Sequence, residues 1–451
     1  MRKVSTVSKA KGQTDISNKH FFSNSDITAI IEGSGPIFKT IIPSMLKEVI
    51  DILSKHFDTN IQIKSISRLS EPKRRNLICR IVFQSSSTKA PTSLIFKQFL
   101  PKKYSKNNKD ALNRFARDSA AHAFLNNLET ESLYVPRLYG SSTKSHFVLL
   151  EDLGETHVSL VDSLTGKSAN EAKAALERFM RRLGQLHADS YGQTNNYLKT
   201  LSTINPDIKL WKNDLKITLN DIVAKLESLS KNISILYTTK MQIEIYTVIK
   251  EVLQPGPFIT FIHGDICPDN VFDNPKKNAL HLIDFEWSGA RSALLDGTYL
   301  RMSMPNCWCA HTIPENLVDS LEVIYRKELM KRIPQARDDE AYHTAYTYAC
   351  AYWMLQTILQ VETLIDKDYL FSSAVSEKTL WKQQTNIERP RVLSRLKAFI
   401  DVAKKYNTLP HIRSMAASVL EDLKVRWHDS KPLDIYTGLE GYNDPHNLDS
   451  N

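Results

Sequence analysis

The sequence predicts an α+β fold of two lobes, a small antiparallel-sheet lobe followed by a large, mainly helical one. Three observations carry this. Strand-like runs crowd residues 61–151 in the order three strands, a helix, two strands. After "EDLGET" the apolar period turns helical almost to the end. A strand-rich island at 258–284 interrupts those helices.

Residues 1–27 are polar and rich in Ser and Lys, and are expected to be flexible. Residues 28–151 are expected to form a leader helix and the small lobe, and 152–451 the large lobe. Ile42, Met45, Leu46, Val49, Ile50 and Leu53 recur at helical spacing, predicting a helix over 42–56 with Pro43 tolerated in its first turn. "IQIKSISRL" alternates as a half-buried strand does, and "NLICRIVFQ" and "TSLIFKQFL" are two more strand-like runs. "SEPKRRN" and "SSSTKAPT" are the turns between them. The alanine-rich "KDALNRFARDSAAHAFLNNL" predicts a helix, and "VPRLYGSS" and "SHFVLLEDLG" two further strands. Helical patterns then cover 169–190, 208–229, 240–253, 314–331, 340–366, 392–406 and 411–427. No internal repeat of solenoid period is present. A cleft between two lobes is a favoured ligand site.

The 451 residues, 42% hydrophobic and 24% charged, suffice to bury a core without staples. Five cysteines at no framework spacing fit a reducing compartment, and the expectation is a cytoplasmic protein. The opening "MRKVSTVSKAKGQTD" is basic with no apolar core behind it, unlike a secretory signal. No apolar run approaches the ~18 residues that would span a bilayer, so no membrane insertion is expected. The net charge of +9 is concentrated early: 20 basic and 8 acidic residues precede Ala111. Such a segment is either a solvated face or a match for an anionic partner. No basic-aromatic motif of a nucleic-acid module accompanies it, and no nucleic acid is expected as partner. Nothing in the sequence determines an oligomeric state.

Several local patterns have ordinary explanations. "LTGKSAN" contains Gly-Lys-Ser, but Val161 stands where a phosphate loop needs its first glycine. Ser168 with Glu171 three residues on reads as a capping box. "EGSGPIF" lacks a third glycine and a leading strand, and reads as a turn. "CWCAH" offers Cys307, Cys309 and His311 without the spacing of a zinc site. His187, among apolar neighbours in "LGQLHADS", reads as a core histidine. Neither H-E-x-x-H nor G-x-S-x-G occurs.

The island is different. "FITFIHGD" and "ALHLIDFE" are buried-strand patterns ending on Asp265 and Asp284, and the "ICPDN" loop places Asn270 five residues after Asp265. Pairing of the two runs would bring these three side chains to one end. Phosphoryl transfer asks for such a set: one carboxylate for the acceptor hydroxyl, an amide and a second carboxylate for magnesium.

"HGDICPDN" followed by "IDFE" resembles the paired motifs of the aminoglycoside phosphotransferase and choline kinase-like superfamily, which shares the protein-kinase fold. The resemblance implies ATP and Mg²⁺ as cofactors and a small-molecule hydroxyl as acceptor. It implies Asp265 as the catalytic residue and Asn270 and Asp284 as metal ligands. Lys97 in "SLIFKQF" matches the strand lysine that contacts the phosphates, and Asp118 stands where the family has a helix glutamate. Backbone groups of Leu150, Glu151 and Asp152 match the hinge that binds adenine. Asn76 is kept in the phosphate-covering turn, but glycines are absent, and Arg74 and Arg75 either supply charge there or face solvent. Asp296 in "SGARSALLDGTY" matches an aspartate that anchors the catalytic loop, followed by Gly297 where the family has an apolar residue. His263 is expected to brace the loop.

The acceptor is open. Trp287, Tyr299, Trp308, Tyr342, Tyr346, Tyr348, Tyr352 and Trp353 offer aromatics for a cation cage, or simply core at helical spacing. "EDLGETHVSLVD" and "ARDDEAY" offer acids for an aminoglycoside-like polycation. Amino alcohols, sugars and a protein hydroxyl also fit. The reading from another class is a kinase-fold pseudoenzyme, a nucleotide-binding interaction module.

Overall fold

The computed structural model describes residues 43–70, 75–85, 88–101, 109–130, 133–208, 212–233, 235, 237–254, 256–368 and 387–442. The expectations for residues 1–42 and for Arg74 lie outside them.

The small lobe comprises α1 (Pro43–Phe57), β1 (Ile61–Arg68), β2 (Asn76–Ser85), β3 (Ser93–Phe99), α2 (Lys109–Asn126), β4 (Leu138–Ser142) and β5 (Phe147–Glu151). The strands form one antiparallel sheet in the order β1-β2-β3-β5-β4. β3 is central, so its alternate residues face two covered layers. Leu94 and Phe96 join Cys79, Ile81, Phe147 and Leu149 beneath Met45, Leu46, Val49 and Leu53 of α1. At roughly 1.5–3 kcal/mol per fully buried large apolar side chain, those four contacts hold a 15-residue helix that would be marginal alone. On the opposite face Phe99, Val148 and Leu150 pack on Ala111 and Phe115 of α2. Lys97 shares this second face, with Nζ 4.8 Å from the Phe99 ring centre.

The large lobe continues through β6 (Val158–Ser159), α3 (Leu160–Leu164), α4 (Ala169–Ser190), α5 (Thr194–Ile204), α6 (Lys212–Leu229) and α7 (Thr239–Leu253). Then come β7 (Ile259–Ile262), β8 (Val271–Asn274), β9 (Ala279–Leu282), β10 (Gly289–Ser292) and α8 (Leu294–Gly297). Helices α9 (Glu315–Leu329), α10 (Asp339–Leu364), α11 (Glu388–Lys405) and α12 (Pro410–Arg426) complete it. α10 is apolar all round because it is the axis of the lobe, packed against α6, α7, α8 and α11. Ser168 does cap α4, its hydroxyl accepting from Glu171 N at 3.2 Å. No helix among the described residues is long and apolar enough to cross a membrane.

Two features differ from expectation. The strand runs ending at Asp265 and Asp284 do not pair with each other. β7 pairs with β10, and β9 pairs with β8, which also pairs with β6. A tight turn through Asn278, held at φ 49°, closes β8 on β9, and so short a closure outcompetes the longer one. α5 falls in a stretch where no helix was expected.

Candidate active site at the lobe interface

The loop after β7 is held from behind. His263 N and Gly264 N both donate to the buried Asp296 carboxylate of α8, at 2.7 and 3.1 Å. Asp296 in turn lies 3.4 Å from His187 Nε2 on α4, and His187 Nδ1 is 2.8 Å from the Tyr325 hydroxyl. His187 is a core histidine, but one that props the loop anchor. Gly264 has φ +80°, and a Cβ there would sit 2.5 Å from Trp287 O, so both conformation and space demand glycine. His263 is buried, and burial pulls its imidazole below the ordinary value. As the neutral ring it donates from Nε2 to Ile283 O at 2.9 Å and accepts from Asp265 N at Nδ1, 3.3 Å away. The two loops are thereby locked together.

Gly297 also has a packing reason. Its Cβ would lie 2.6 Å from the Tyr325 ring, so Tyr325 fills the space a larger residue would occupy. Gly297→Ala is expected to destabilise the protein by about 1–3 kcal/mol through overpacking, read as a lower midpoint in urea; an unchanged midpoint would contradict this packing.

At Asp265, Oδ1 receives long contacts from Cys267 Sγ at 3.3 Å and the Tyr299 hydroxyl at 3.4 Å. Among the described residues no protein group donates to Oδ2. Burial, reinforced by the charge of Asp284, pushes the Asp265 carboxyl up to about 7. Asn270 closes a turn of 3₁₀-helix, and its Nδ2 donates to Asp265 O at 2.9 Å. That leaves Asn270 Oδ1 as an oxygen donor for a cation.

Asp284 follows β9 with φ 67° and accepts from Lys97 Nζ at 2.5 Å. Burial alone would raise its carboxyl, but the adjoining lysine holds it below the usual range, so it stays ionised. Lys97, 5% exposed, also meets Asp118 Oδ1 at 3.1 Å. Burial opposes its charge, but Asp118, Asp284 and Glu286 outweigh burial and keep the ammonium protonated. The same Asp118 oxygen accepts from Phe285 N at 2.7 Å. The shorter aspartate nevertheless reaches both the lysine and this backbone donor. Lys97, Asp118, Asp284, Asp265 and Asn270 are therefore brought together.

Asn76 is held differently. Its Oδ1 accepts from Arg114 Nη1 at 2.6 Å and its Nδ2 donates to Glu286 Oε2 at 3.3 Å, while Arg75 pairs with Glu286. Arg75 and Asn76 are thus latched to the loop after Asp284. Glu286 and Arg114 carried no sequence-based role, although Asp110, Arg114 and Asp118, four apart, signalled one polar helix stripe. Leu150 packs into the inner face of the sheet. Glu151 N donates to Arg137 O at 2.9 Å. The Asp152 side chain is engaged by Arg80 Nε at 2.6 Å, Ser93 Oγ at 2.8 Å and Gly154 N at 3.1 Å.

Cys307 Sγ and Cys309 Sγ lie 2.8 Å apart, but His311 does not join them. Among the described residues the metal-capable cluster is Cys267, Asp269 and Cys307, while His311 lies against the Tyr436 ring. Tyr299, Tyr342 and Tyr346 are core residues. A cavity of about 740 Å³ opens in front of Gly264 and Asp265, and Trp287, Tyr352 and Trp353 line it. Lys97, Asn270, Asp284 and residues 150–152 are not among its lining residues, whereas Arg75, which pairs with Glu286, is.

Residues 88–306 match the family model described as Phosphotransferase enzyme family. This segment is similar to that family. The match spans just under half of the chain and includes Lys97, Asp118, Asp265, Asn270 and Asp284. No curated protein sequence matches the chain. Among solved structures, the chain is similar to an ethanolamine kinase of Plasmodium vivax at 13% identity and TM-score 0.44, covering 88% of this chain and 97% of that one. It is similar to choline kinase LicA from Streptococcus pneumoniae at 14% identity and TM-score 0.39, covering 79% and 99%. A choline kinase from Cryptosporidium parvum gives 12% identity and TM-score 0.41, covering 84% and 99%. At such scores these likenesses carry no argument about substrate.

Proposed function

We propose that the protein transfers the γ-phosphate of ATP to a hydroxyl of a small molecule. The observation that carries this is the convergence of Lys97, Asp118 and Asp284 beside the Asp265–Asn270 loop, inside the matched segment. Adenine would lie against backbone groups of 150–152. Lys97 would release part of its carboxylate contacts to the phosphates. Asn76, through Arg114 and Glu286, would position the turn over them. Asp284 and Asn270 would hold Mg²⁺, since both offer the oxygen donors it prefers and Asp284 is kept ionised. Bound there, the metal would neutralise charge on the phosphates.

Asp265 orients the acceptor hydroxyl in line with the γ-phosphorus. The hydroxyl oxygen bonds to phosphorus as the bridging bond breaks, the hydroxyl proton passes to the Asp265 carboxylate, and ADP leaves with the bond electrons. Positioning does most of the work, as the transition state is loose. Acceptors of the amino alcohol, aminoglycoside-like and sugar classes all carry the required hydroxyl. ATP use and the free cysteines fit a cytoplasmic setting.

ATP consumption across hydroxyl compounds of those classes, with Mg²⁺ and again with EDTA, tests the proposal. Turnover with at least one compound, abolished by EDTA, is expected. Nucleotide binding that ignores Mg²⁺, with no turnover on any compound, would instead identify a pseudoenzyme.

A further inference from the structure

We propose that Cys267, Asp269 and Cys307 form a site for a thiophilic divalent cation of the zinc type, separate from the oxygen donors of Asp284 and Asn270. The proposal does not depend on the phosphotransfer reading.

Two loops far apart in sequence meet here. One is the Asp265–Asn270 loop, and the other lies between α8 and α9. One sulfur each from Cys267 and Cys307 and one carboxylate oxygen of Asp269 lie within 4.8 Å of one another. Tetrahedral zinc, with bonds of about 2.3 Å to sulfur, spaces its ligand atoms about 3.8 Å apart. Small side-chain rotations therefore complete the set. Two sulfurs with one oxygen suit zinc, whereas magnesium prefers oxygen alone. A fourth position is left for water.

The surroundings hold each ligand. Asp269 Oδ2 accepts from Trp308 Nε1 at 2.6 Å, so the residue between the two later cysteines aims the carboxylate. Cys307 Sγ accepts from Cys309 N at 3.3 Å and lies 2.8 Å from Cys309 Sγ. Both contacts would steady a thiolate. The buried Arg391 donates to Cys307 O at 2.6 Å and to Trp308 O at 2.9 Å, which fixes the backbone of this loop. The Tyr436 hydroxyl donates to Cys309 O at 2.6 Å. Such outer contacts are what orient ligands in built metal sites.

A redox pair is the rival use of these thiols. All three are free and buried. Burial pushes the Cys267 and Cys307 thiols well above their ordinary value, which makes them poor nucleophiles toward an oxidant. A cation instead replaces the two thiol protons, which leave to solvent as the sulfurs bond to it. Cys267 Sγ is also 3.3 Å from Asp265 Oδ1. A cation on that sulfur would remove one of the two contacts at this oxygen and tie the Asp265–Asn270 loop to the second loop.

The test uses the full-length protein, stripped with a chelator under a non-thiol reductant and titrated with Co²⁺ as a coloured stand-in for zinc. No nucleotide or acceptor is present, so a failed phosphotransfer assay leaves the result untouched. One Co²⁺ per chain should bind with a thiolate-to-cobalt charge-transfer band. Zn²⁺ should displace it and excess Mg²⁺ should not. Cys267→Ser and Cys307→Ser should each weaken binding at least about a hundredfold, and Trp308→Phe about tenfold. Cys79→Ser and Cys350→Ser, outside the cluster, should keep the band. X-ray absorption of the zinc-loaded wild type should count two sulfurs around the metal, a result that needs no folded variant. The proposal is overturned if wild type gives no thiolate band, if the band survives in Cys267→Ser or Cys307→Ser, if no sulfur surrounds the zinc, or if two of the three cysteines are joined as a disulfide in the purified protein.

Discussion

Asp265→Asn is expected to lose activity and gain stability at the same time. Removing the group that takes the acceptor proton should lower kcat by about 10²–10⁴-fold. The stability gain follows from the carboxyl that burial lifts from 3.8 to about 7. Between those values the folded protein holds a proton that the unfolded chain has released. Stability is therefore lost as pH rises through that window, and the loss is complete above it. Asparagine carries no charge to bury. The variant should be more stable than wild type at pH 8, by on the order of 4 kcal/mol at most, and equally stable below pH 4. Urea midpoints at the two pH values measure this, and equal midpoints at pH 8 would show that the buried charge is not a burden. The same group sets the activity profile. kcat/KM for ATP should fall as pH drops below about 7. Mg²⁺ bound at Asp284 would cancel the second source of the shift, so the acid limb of kcat should lie at lower pH than that of kcat/KM.

Asp118→Ala is expected to cost about 3–5 kcal/mol, as breaking a buried ion pair does. The carboxylate serves Lys97 and Phe285 N together, so its removal loosens the strand lysine and orphans a backbone donor. Lys97 would fall back on Asp284, and KM for ATP should rise about tenfold or more. Asp118→Asn keeps an oxygen for Phe285 N and should cost clearly less. Asp118→Glu should not improve on wild type, because the residue is 0% exposed and an extra methylene has no room. Chemical denaturation of the three variants, with ATP titrations, checks the order; a Glu variant better than wild type would refute it.

Most of the fold was legible because its signals are local. β1 alternates, β3 carries the apolar run Leu94–Phe96, α4 keeps a helical apolar period over many turns, and α10 is a long, mostly apolar stretch. α5 was not legible: "TNNYLKTLSTI" is rich in Asn and Thr, which compete for the backbone and read as loop. The β7–β10 pairing was hidden because "GARS" is too short to show a period. At the site, the residues in the two motifs could be named because each motif is a short contiguous string. Arg114 with Asn76, and Arg395 beside the cavity, meet partners far away in sequence, and no local spacing announces such meetings.

The Asp152 side chain has a mechanical consequence. Staked to Arg80 on β2 and Ser93 at the start of β3, it carries the first residue of the inter-lobe link as part of the sheet. A lobe-closing rotation cannot bend the chain there without breaking those bonds. Gly154, at φ +69° with no atom within 4 Å of where a Cβ would stand, is the first place free to turn. Residues 150–152 thus form one body with the strand that carries Lys97, and a hinge between the lobes would lie beyond them.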